Sequence, residues 1–415
     1  MTNEAFIRQH REEDVRKLAL GKVPEGVDVR WCLQQIEGWQ LARKKLPTWA
    51  KTEGLWYPVR LSLEQCSSEE TARYKRQLAE RLLSEGERQS MVDLTGGLGV
   101  DFSFLAPLFK DATYVEILPE LRELAQHNMP LLGLPNATIA EPTHSSLFTF
   151  HSSLIYIDPA RRDGVGRKTV GIEDCTPNLL EMQDALLQQS QYVLVKLSPM
   201  LDITEALRQL HCVIEAHVVS VRGECKELLM VMGAPSSSPQ WGSALPPHPS
   251  ISPDVEDMQV PNIYCVNLGT EEDLITTKGQ KAKDMDKDFS PLTLAHSHFL
   301  YEPNASILKA GVQDVLCERY SVRKLHPMSH LFVGDELIPR FPGRCFRIEA
   351  WSDFSKKALK ELIGDVRRAN LAVRNFPTSV EKLRRQLRLA EGGDVYLFAT
   401  TLADGTHALI KTFKV

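Results

Sequence analysis

The spacing of apolar positions changes along the chain. Before residue 86 it is helical: Leu33, Ile36 and Trp39 share a face, and Tyr74, Leu78 and Leu82 recur every four residues. The second of these helices carries its own punctuation. Ser67 and Glu70 stand at capping-box spacing, and Gly86 stands where a left-handed terminal residue is wanted. From Ser90 short apolar runs alternate with helical segments, at Met91–Leu94, Thr113–Ile117, Ala137–Ala140, Leu154–Ile157, Tyr192–Leu197, Val213–Val221 and Glu227–Met232. That rhythm predicts an α/β fold with a mostly parallel sheet covered by helices on both faces. Prolines interleaved with serines over 234–261 read as a linker or surface loop. Toward the end, Arg344–Trp351 reads as strand, Ser355–Ile363 as helix, Asn370–Arg374 as strand and Thr378–Leu389 as helix. Two more strands follow, joined by Ala403-Asp404-Gly405, giving a small βαβαββ unit. Residues 262–340 carry no clear period.

A chain of 415 residues exceeds the size at which single cores stop growing and implies about two to four domains. We place them at 1–86 (helical), 87–235 (the α/β core), 236–340 (linker and a further segment) and 341–415 (the small α+β unit). With 43% hydrophobic and 25% charged residues the chain is of ordinary globular composition. Charges throughout Met1–Leu20 leave no signal-peptide core, and the apolar runs are far shorter than the roughly 20 residues that span a bilayer. The eight cysteines include no C-x-x-C pair. A cytoplasmic protein without structural disulfides or zinc is expected. His326 and His330 are four apart, but Pro327 between them argues against a shared metal, so no metal is expected.

Charge divides the chain more sharply than hydropathy does. Between Arg340 and Ala390 there are 13 lysines and arginines against 5 acids, a balance of +8, so the rest carries −13 of the net −5. An acidic body joined to a basic tail points to a polyanion partner in one place. Within that tail Lys356 and Lys360, and then Lys382, Arg385 and Arg388, fall at helical spacing and can form stripes.

Candidate chemistry concentrates in Val92-Asp93-Leu94-Thr95-Gly96-Gly97-Leu98-Gly99-Val100-Asp101. A strand ends in an acid, passes through a glycine-rich turn and enters a helix with Phe102, Leu105 and Phe109 on its core face. Glycines let the backbone approach a ligand, and the free amides of the next helix can bind polar groups. Phe102 stands where a dinucleotide fingerprint begun at Gly97 needs glycine, as Leu98 does for one begun at Gly96, and no Gly-Lys-Ser/Thr ending marks a P-loop. About twenty residues on, Glu116 stands where an acid can accept both hydrogens of a ribose diol. The fourth strand runs into Asp158-Pro159-Ala160-Arg161-Arg162 and a charged, glycine-containing loop that ends at Lys168.

Glycine turn, ribose acid and Asp-Pro strand end, in this order, resemble a class I S-adenosylmethionine-dependent methyltransferase. Asp158–Arg162, Val195-Lys196-Leu197-Ser198-Pro199, Glu224-Cys225-Lys226-Glu227 and Tyr301-Glu302-Pro303-Asn304-Ala305 narrow the resemblance to the bacterial methyltransferases with ferredoxin-like and THUMP-like C-terminal domains. It implies a Rossmann-like sheet with an antiparallel last strand. Asp93, Gly96, Gly97 and Gly99 would surround the methionine part of S-adenosylmethionine and Glu116 the ribose, with Thr95, Asp101 and Ile117 in the same cofactor site. Asp158 would face the transferable methyl, with Pro159 and Arg161 beside it. Arg162, Lys196 and Ser198, and the tail residues Lys382, Arg385 and Arg388, are the candidate substrate contacts. The THUMP-like module is associated with RNA binding, which agrees with the +8 segment.

Two positions depart from the family pattern. The acid that commonly touches adenine after the third strand is replaced by Ala140-Glu141-Pro142-Thr143-His144. The Asp/Asn-Pro-Pro-aromatic signature of enzymes acting on exocyclic amines is replaced by Ala160-Arg161 after Pro159, where Arg161 can stack by its guanidinium plane or bind a phosphate. The reading is an S-adenosylmethionine-dependent methyltransferase acting on RNA. The alternatives are a protein or small-molecule methyltransferase, and a non-catalytic RNA-binding protein that senses S-adenosylmethionine.

Overall fold

The structure, a computed structural model, describes all residues except 23, 143–150, 161–170, 234–260, 271–274, 279–293 and 295. It divides into two compact units, 1–216 with 228–259, and 217–227 with 260–415.

The first unit opens with six helices, α1 (Asn3–His10), α2 (Val15–Ala19), α3 (Val29–Lys45), α4 (Pro47–Lys51), α5 (Arg60–Gln65) and α6 (Glu69–Leu82). Ser68, not Ser67, caps α6 by accepting from Thr71 N, because the Ser67 hydroxyl is committed to Asp101 at 2.7 Å. Gly86 lies in a single 3₁₀ turn after Leu83 has already left the helix. The buried face of α6 carries Ala72, Lys75, Leu78 and Ala79, so it is rotated from the Tyr74–Leu82 stripe.

Seven strands of a nine-stranded sheet come next, β1 (Ser90–Asp93), β2 (Asp111–Val115), β3 (Ala137–Ala140), β4 (Ser152–Ile157), β5 (Ser190–Leu197), β6 (Val213–Val221) and β7 (Glu224–Gly233). Between them run α7 (Val100–Leu105), α8 (Pro119–Leu131), α9 (Leu179–Gln189) and α10 (Ile203–Gln209). Strand order is β3-β2-β1-β4-β5-β7-β6, parallel from β3 to β5, with β7 antiparallel to β5. The order reverses direction between β1 and β4, so their carboxyl ends open a crevice, where open α/β sheets bind ligands. The helical region is tied to the core by one apolar cluster joining Ala42, Leu46, Trp49 and Ala72 to Leu98, Val100, Phe104 and Leu124. Phe102, Leu105 and Phe109 are buried as their spacing predicts.

The second unit contains the hairpin of β8 (Asn262–Leu268) and β9 (Ile275–Lys278), followed by β10 (Phe299–Pro303). Next come α11 (Ala305–Ala310), α12 (Val315–Tyr320), β11 (Arg323–Lys324) and β12 (Phe332–Gly334). Asn304 caps α11, and the Tyr301 hydroxyl donates to the Glu336 carbonyl, so these residues build the segment rather than a site. The βαβαββ unit follows as β13 (Gly343–Asp353), α13 (Lys356–Ile363), β14 (Asn370–Arg374), α14 (Val380–Leu387), β15 (Val395–Thr401) and β16 (His407–Lys414). Helix α14 is shorter than its sequence pattern suggests, and Arg388 lies beyond it in a left-handed conformation. Among the described residues no helix is long and apolar enough to cross a membrane, and no group of three side chains is placed to hold a metal.

Candidate functional site

The turn after β1 is held by short backbone bonds. Gly96 N–H donates to the Val115 carbonyl and Gly99 N–H to the Gly96 carbonyl, both at 2.8 Å. Gly97 and Gly99 have φ of +56° and +79°, the left-handed region where glycine carries no penalty. A Cβ at Gly96 would stand 2.2 Å from the Tyr114 ring, whose hydroxyl donates to the Gly97 carbonyl. Bare backbone is thus required against β2.

Glu116, the first residue past β2, reaches this turn. One carboxylate oxygen accepts from Gly97 N at 2.7 Å and the other from Leu118 N at 2.8 Å, leaving a lone pair on each for a further donor. Arg122 on α8 donates to the carbonyls of Glu116 and Ile117, both at 2.8 Å, and its other nitrogen meets Glu141 at 2.7 Å. The side chain of Ile117 is left exposed.

Thr95 joins the ends of β1 and β4. Its amide donates to the Asp93 carboxylate at 2.9 Å, and its hydroxyl accepts the Asp158 amide at 2.6 Å. Asp158 sits at the tip of β4, its side chain 38% exposed, and is ion-paired with the more buried Lys196 of β5. Pro159 is buried beside it, and Ala160 makes a two-bond bridge with Thr176. Ser198 turns the chain after β5, its hydroxyl accepting Met200 N at 3.2 Å. Arg161 and Arg162 lie outside the described residues, as do Thr143 and His144.

Sequence reasoning named Asp101 for the cofactor site but missed the partners that hold it beneath the turn, Lys75 and Tyr156. Asp101, in the first turn of α7, accepts from Ser67 and Tyr156 hydroxyls at 2.7 Å each and pairs at 3.1 Å with Lys75, whose side chain is 0% exposed. A lysine flanked by Ala72, Leu78 and Ala79 on one helical face is the signal that could have revealed it. Arg122 was likewise unmarked, since its targets are backbone carbonyls.

Asp93 therefore has three carboxylate neighbours, Asp101, Glu116 and Asp158, of which Asp101 is paired with Lys75 and Asp158 with Lys196. Burial pushes the Asp93 carboxyl well above its usual range, opposed by the Thr95 amide and reinforced by repulsion from Asp101, Asp158 and Glu116. Burial acts on Asp101 in the same sense, but Lys75, Lys196 and the two hydroxyls overcome it and hold that carboxyl low. Neither Asp93 nor Glu116 has a cation of its own among the described residues. This donor set, acid-rich at a bare glycine turn, fits a cofactor bearing a ribose diol, an ammonium and a sulfonium.

The tail cations separate into two groups. Arg344 and Arg374 flank the buried Glu302, Arg384 donates to the Ala369 carbonyl and Arg368 to that of Glu391. Lys356, Lys357, Lys360, Lys382, Arg385 and Arg388 are exposed.

Residues 299–342 match a ferredoxin-like domain family and 343–412 a THUMP domain-like family. No curated protein matches the chain. The crystal structure of a candidate methyltransferase from Porphyromonas gingivalis W83 is 33% identical, covering 100% of this chain and 97% of that one, with a TM-score of 0.81. An rRNA methylase from Streptococcus thermophilus is 15% identical over 39% of this chain and 94% of its own, with a TM-score of 0.29, too slight a likeness to carry argument. With the sheet order, the glycine turn and the two C-terminal modules in place, the chain belongs to the class I S-adenosylmethionine-dependent methyltransferases that carry ferredoxin-like and THUMP-like domains.

Proposed function

We propose that this methyltransferase acts on RNA, with Asp158 and Lys196 at the acceptor end of its site and Asp93 and Glu116 at the cofactor end. The observation that carries the reading is the Thr95 bridge, which fixes the Asp93 turn and the Asp158 strand end at hydrogen-bond distance from one residue. S-adenosylmethionine supplies an electrophilic methyl on a sulfonium. The chain's own residues have little covalent work to do, since aligning two reactants away from water can lower a barrier by about 7–11 kcal/mol. Glu116 takes the ribose diol on its free lone pairs, and Ile117 offers an apolar contact beside it. The Asp158 carboxylate, held by Lys196, accepts an N–H or O–H of the incoming nucleophile, turning its lone pair toward the methyl and receiving the proton it must lose. Asp101 acts behind these groups as a positioning residue for α7.

RNA is favoured by the THUMP-like module, whose exposed Lys356, Lys357, Lys360, Lys382 and Arg388 stand apart from the ion-pair cluster at Glu302. Incubation with labelled S-adenosylmethionine and separate RNA, protein and metabolite fractions is expected to label RNA, and Asp158→Ala to lower that labelling about 100-fold or more while cofactor affinity stays within a few-fold. Label in protein or metabolites alone would move the acceptor to another class. Cofactor binding without label in any fraction would leave a sensor.

A further inference from the structure

A cavity of about 410 Å³ lies in the helical part of the first unit, between α1, α3, the segment 50–57 and α8. Three of the chain's six tryptophans, Trp31, Trp39 and Trp56, line it together with Tyr57 and His127. None of the residues discussed for methyl transfer is among its walls.

The aromatic wall is fixed before any ligand arrives. Trp56 is held through its backbone by Asn128, which accepts its amide and donates to its carbonyl, both at 2.9 Å. Gln35 treats Tyr57 in the same way, at 2.7 and 3.0 Å. Both amide side chains are buried, so an extended strip of chain is clamped from α3 and α8. His127 stacks on Trp56 with centroids 3.9 Å apart and rings 13° from parallel, and it is fixed by a 2.8 Å bond to the Gly54 carbonyl. Trp31 meets Trp56 edge-on at 6.2 Å. Rigid rings presented to an open volume suit a flat ligand, because their ordering is not charged to binding.

The charges at the cavity select among flat ligands. Glu53 is paired with Arg11, which also lies over the Trp39 ring at 4.6 Å. Arg8 lines the cavity with no ion pair among the described residues. Glu4, one helical turn before Arg8, lines the cavity with no ion pair among the described residues either, so a bare organic cation would meet Arg8 as well as Glu4. A flat ring carrying both an N–H donor for Glu4 and an anion for Arg8 answers both charges, and the volume suffices for one nucleotide. Base stacking on aromatic side chains is tolerant of sequence, and His127 shares α8 with Arg122, the residue that fixes the Glu116 turn.

We propose that this cavity holds one unpaired base of the RNA acceptor, its ring against the Trp56 side and its phosphate toward Arg8. The inference rests on the RNA reading above, and the test separates the two. Anisotropy titrations would use a fluorescent single-stranded 12-nucleotide RNA of mixed sequence, with adenosine 5′-monophosphate as a second probe followed by tryptophan fluorescence. Trp56→Ala should weaken RNA binding by about 5- to 150-fold, the range expected for one lost stack. Arg8→Glu, on an exposed site, should weaken it several-fold, and Trp56→Phe should restore most of the loss. S-adenosylmethionine affinity should stay within twofold in all three, which also reports an intact fold. Wild-type RNA binding that neither Trp56→Ala nor Arg8→Glu changes would overturn the pocket and leave the RNA reading standing. A wild type that binds no RNA would overturn both. Saturable quenching by the mononucleotide, lost in Trp56→Ala and without any change in RNA affinity, would assign the cavity to a free nucleotide and overturn the RNA assignment.

Discussion

Asp93 is the residue at which burial and charge oppose each other most strongly. Its carboxyl is 1% exposed and has three other carboxylates for neighbours, so the folded protein holds its proton at a pH where the unfolded chain has lost it. The stabilisation this gives is complete below the unfolded value of about 3.9 and disappears as pH rises through the raised folded value. Asp93→Asn should therefore unfold at higher denaturant than wild type at pH 8. It should also lose roughly 10–150-fold in S-adenosylmethionine affinity, the worth of a charge-assisted hydrogen bond. A cationic cofactor favours the ionised form, so wild-type affinity should rise with pH up to the folded pKa, and binding should release a proton. Calorimetry in two buffers of different ionisation enthalpy measures that release. An equal release from Asp93→Asn would place the titrating group elsewhere. Asp93 and Glu116 were legible in the sequence because each follows an apolar run at a fixed distance from the glycine turn. Lys75 was not, because its partner Asp101 lies twenty-six residues away and only the folded chain brings them to 3.1 Å.

At the scale of elements, some strands were read to the residue, while Thr113–Ile117 is shifted by two from the observed Asp111–Val115. Val213–Val221 and Asn370–Arg374 have the bounds their apolar runs suggest, since a strand's side-chain period and its edge polarity coincide. Helix α6 was misjudged at its start and on its face by the same interaction, the attraction of Ser67 and Lys75 to Asp101 on α7. That attachment predicts a mutational pattern. Lys75→Met leaves a buried carboxylate with its hydroxyl donors and, as remaining cation, only Lys196, which is already paired with Asp158, and should cost up to about 3–5 kcal/mol in urea unfolding of the first unit. Adding Asp101→Asn removes the stranded charge and should recover a large part of that loss. Additive losses in the double variant would show that Lys75 stabilises α6 by packing alone and that the pair does not anchor α7.

Over the whole molecule, the uneven charge visible in the composition survives folding in only part of the tail. Arg344 and Arg374 enclose Glu302, whose side chain is 5% exposed, so removing either arginine should act on folding before it acts on any ligand. Composition could count these cations but could not tell a buried ion pair from a surface one, since Glu302 lies outside the segment counted. Lys382 and Arg385 on α14, with Arg388 just past its end, are exposed and separate from that cluster. Each phosphate contact they make releases counterions, giving a slope of about 0.7–0.9 in log affinity against log salt. Replacing all three with glutamine should thus flatten the slope for RNA by about 2 to 3 and weaken binding at low salt, with S-adenosylmethionine affinity unchanged. If the variant keeps the wild-type slope in a filter-binding titration, α14 is a solvated face and not the RNA surface. The exposed lysines of α13, Lys356, Lys357 and Lys360, would then be the next stripe to test, because they are the remaining cluster in the same module that its own fold does not consume.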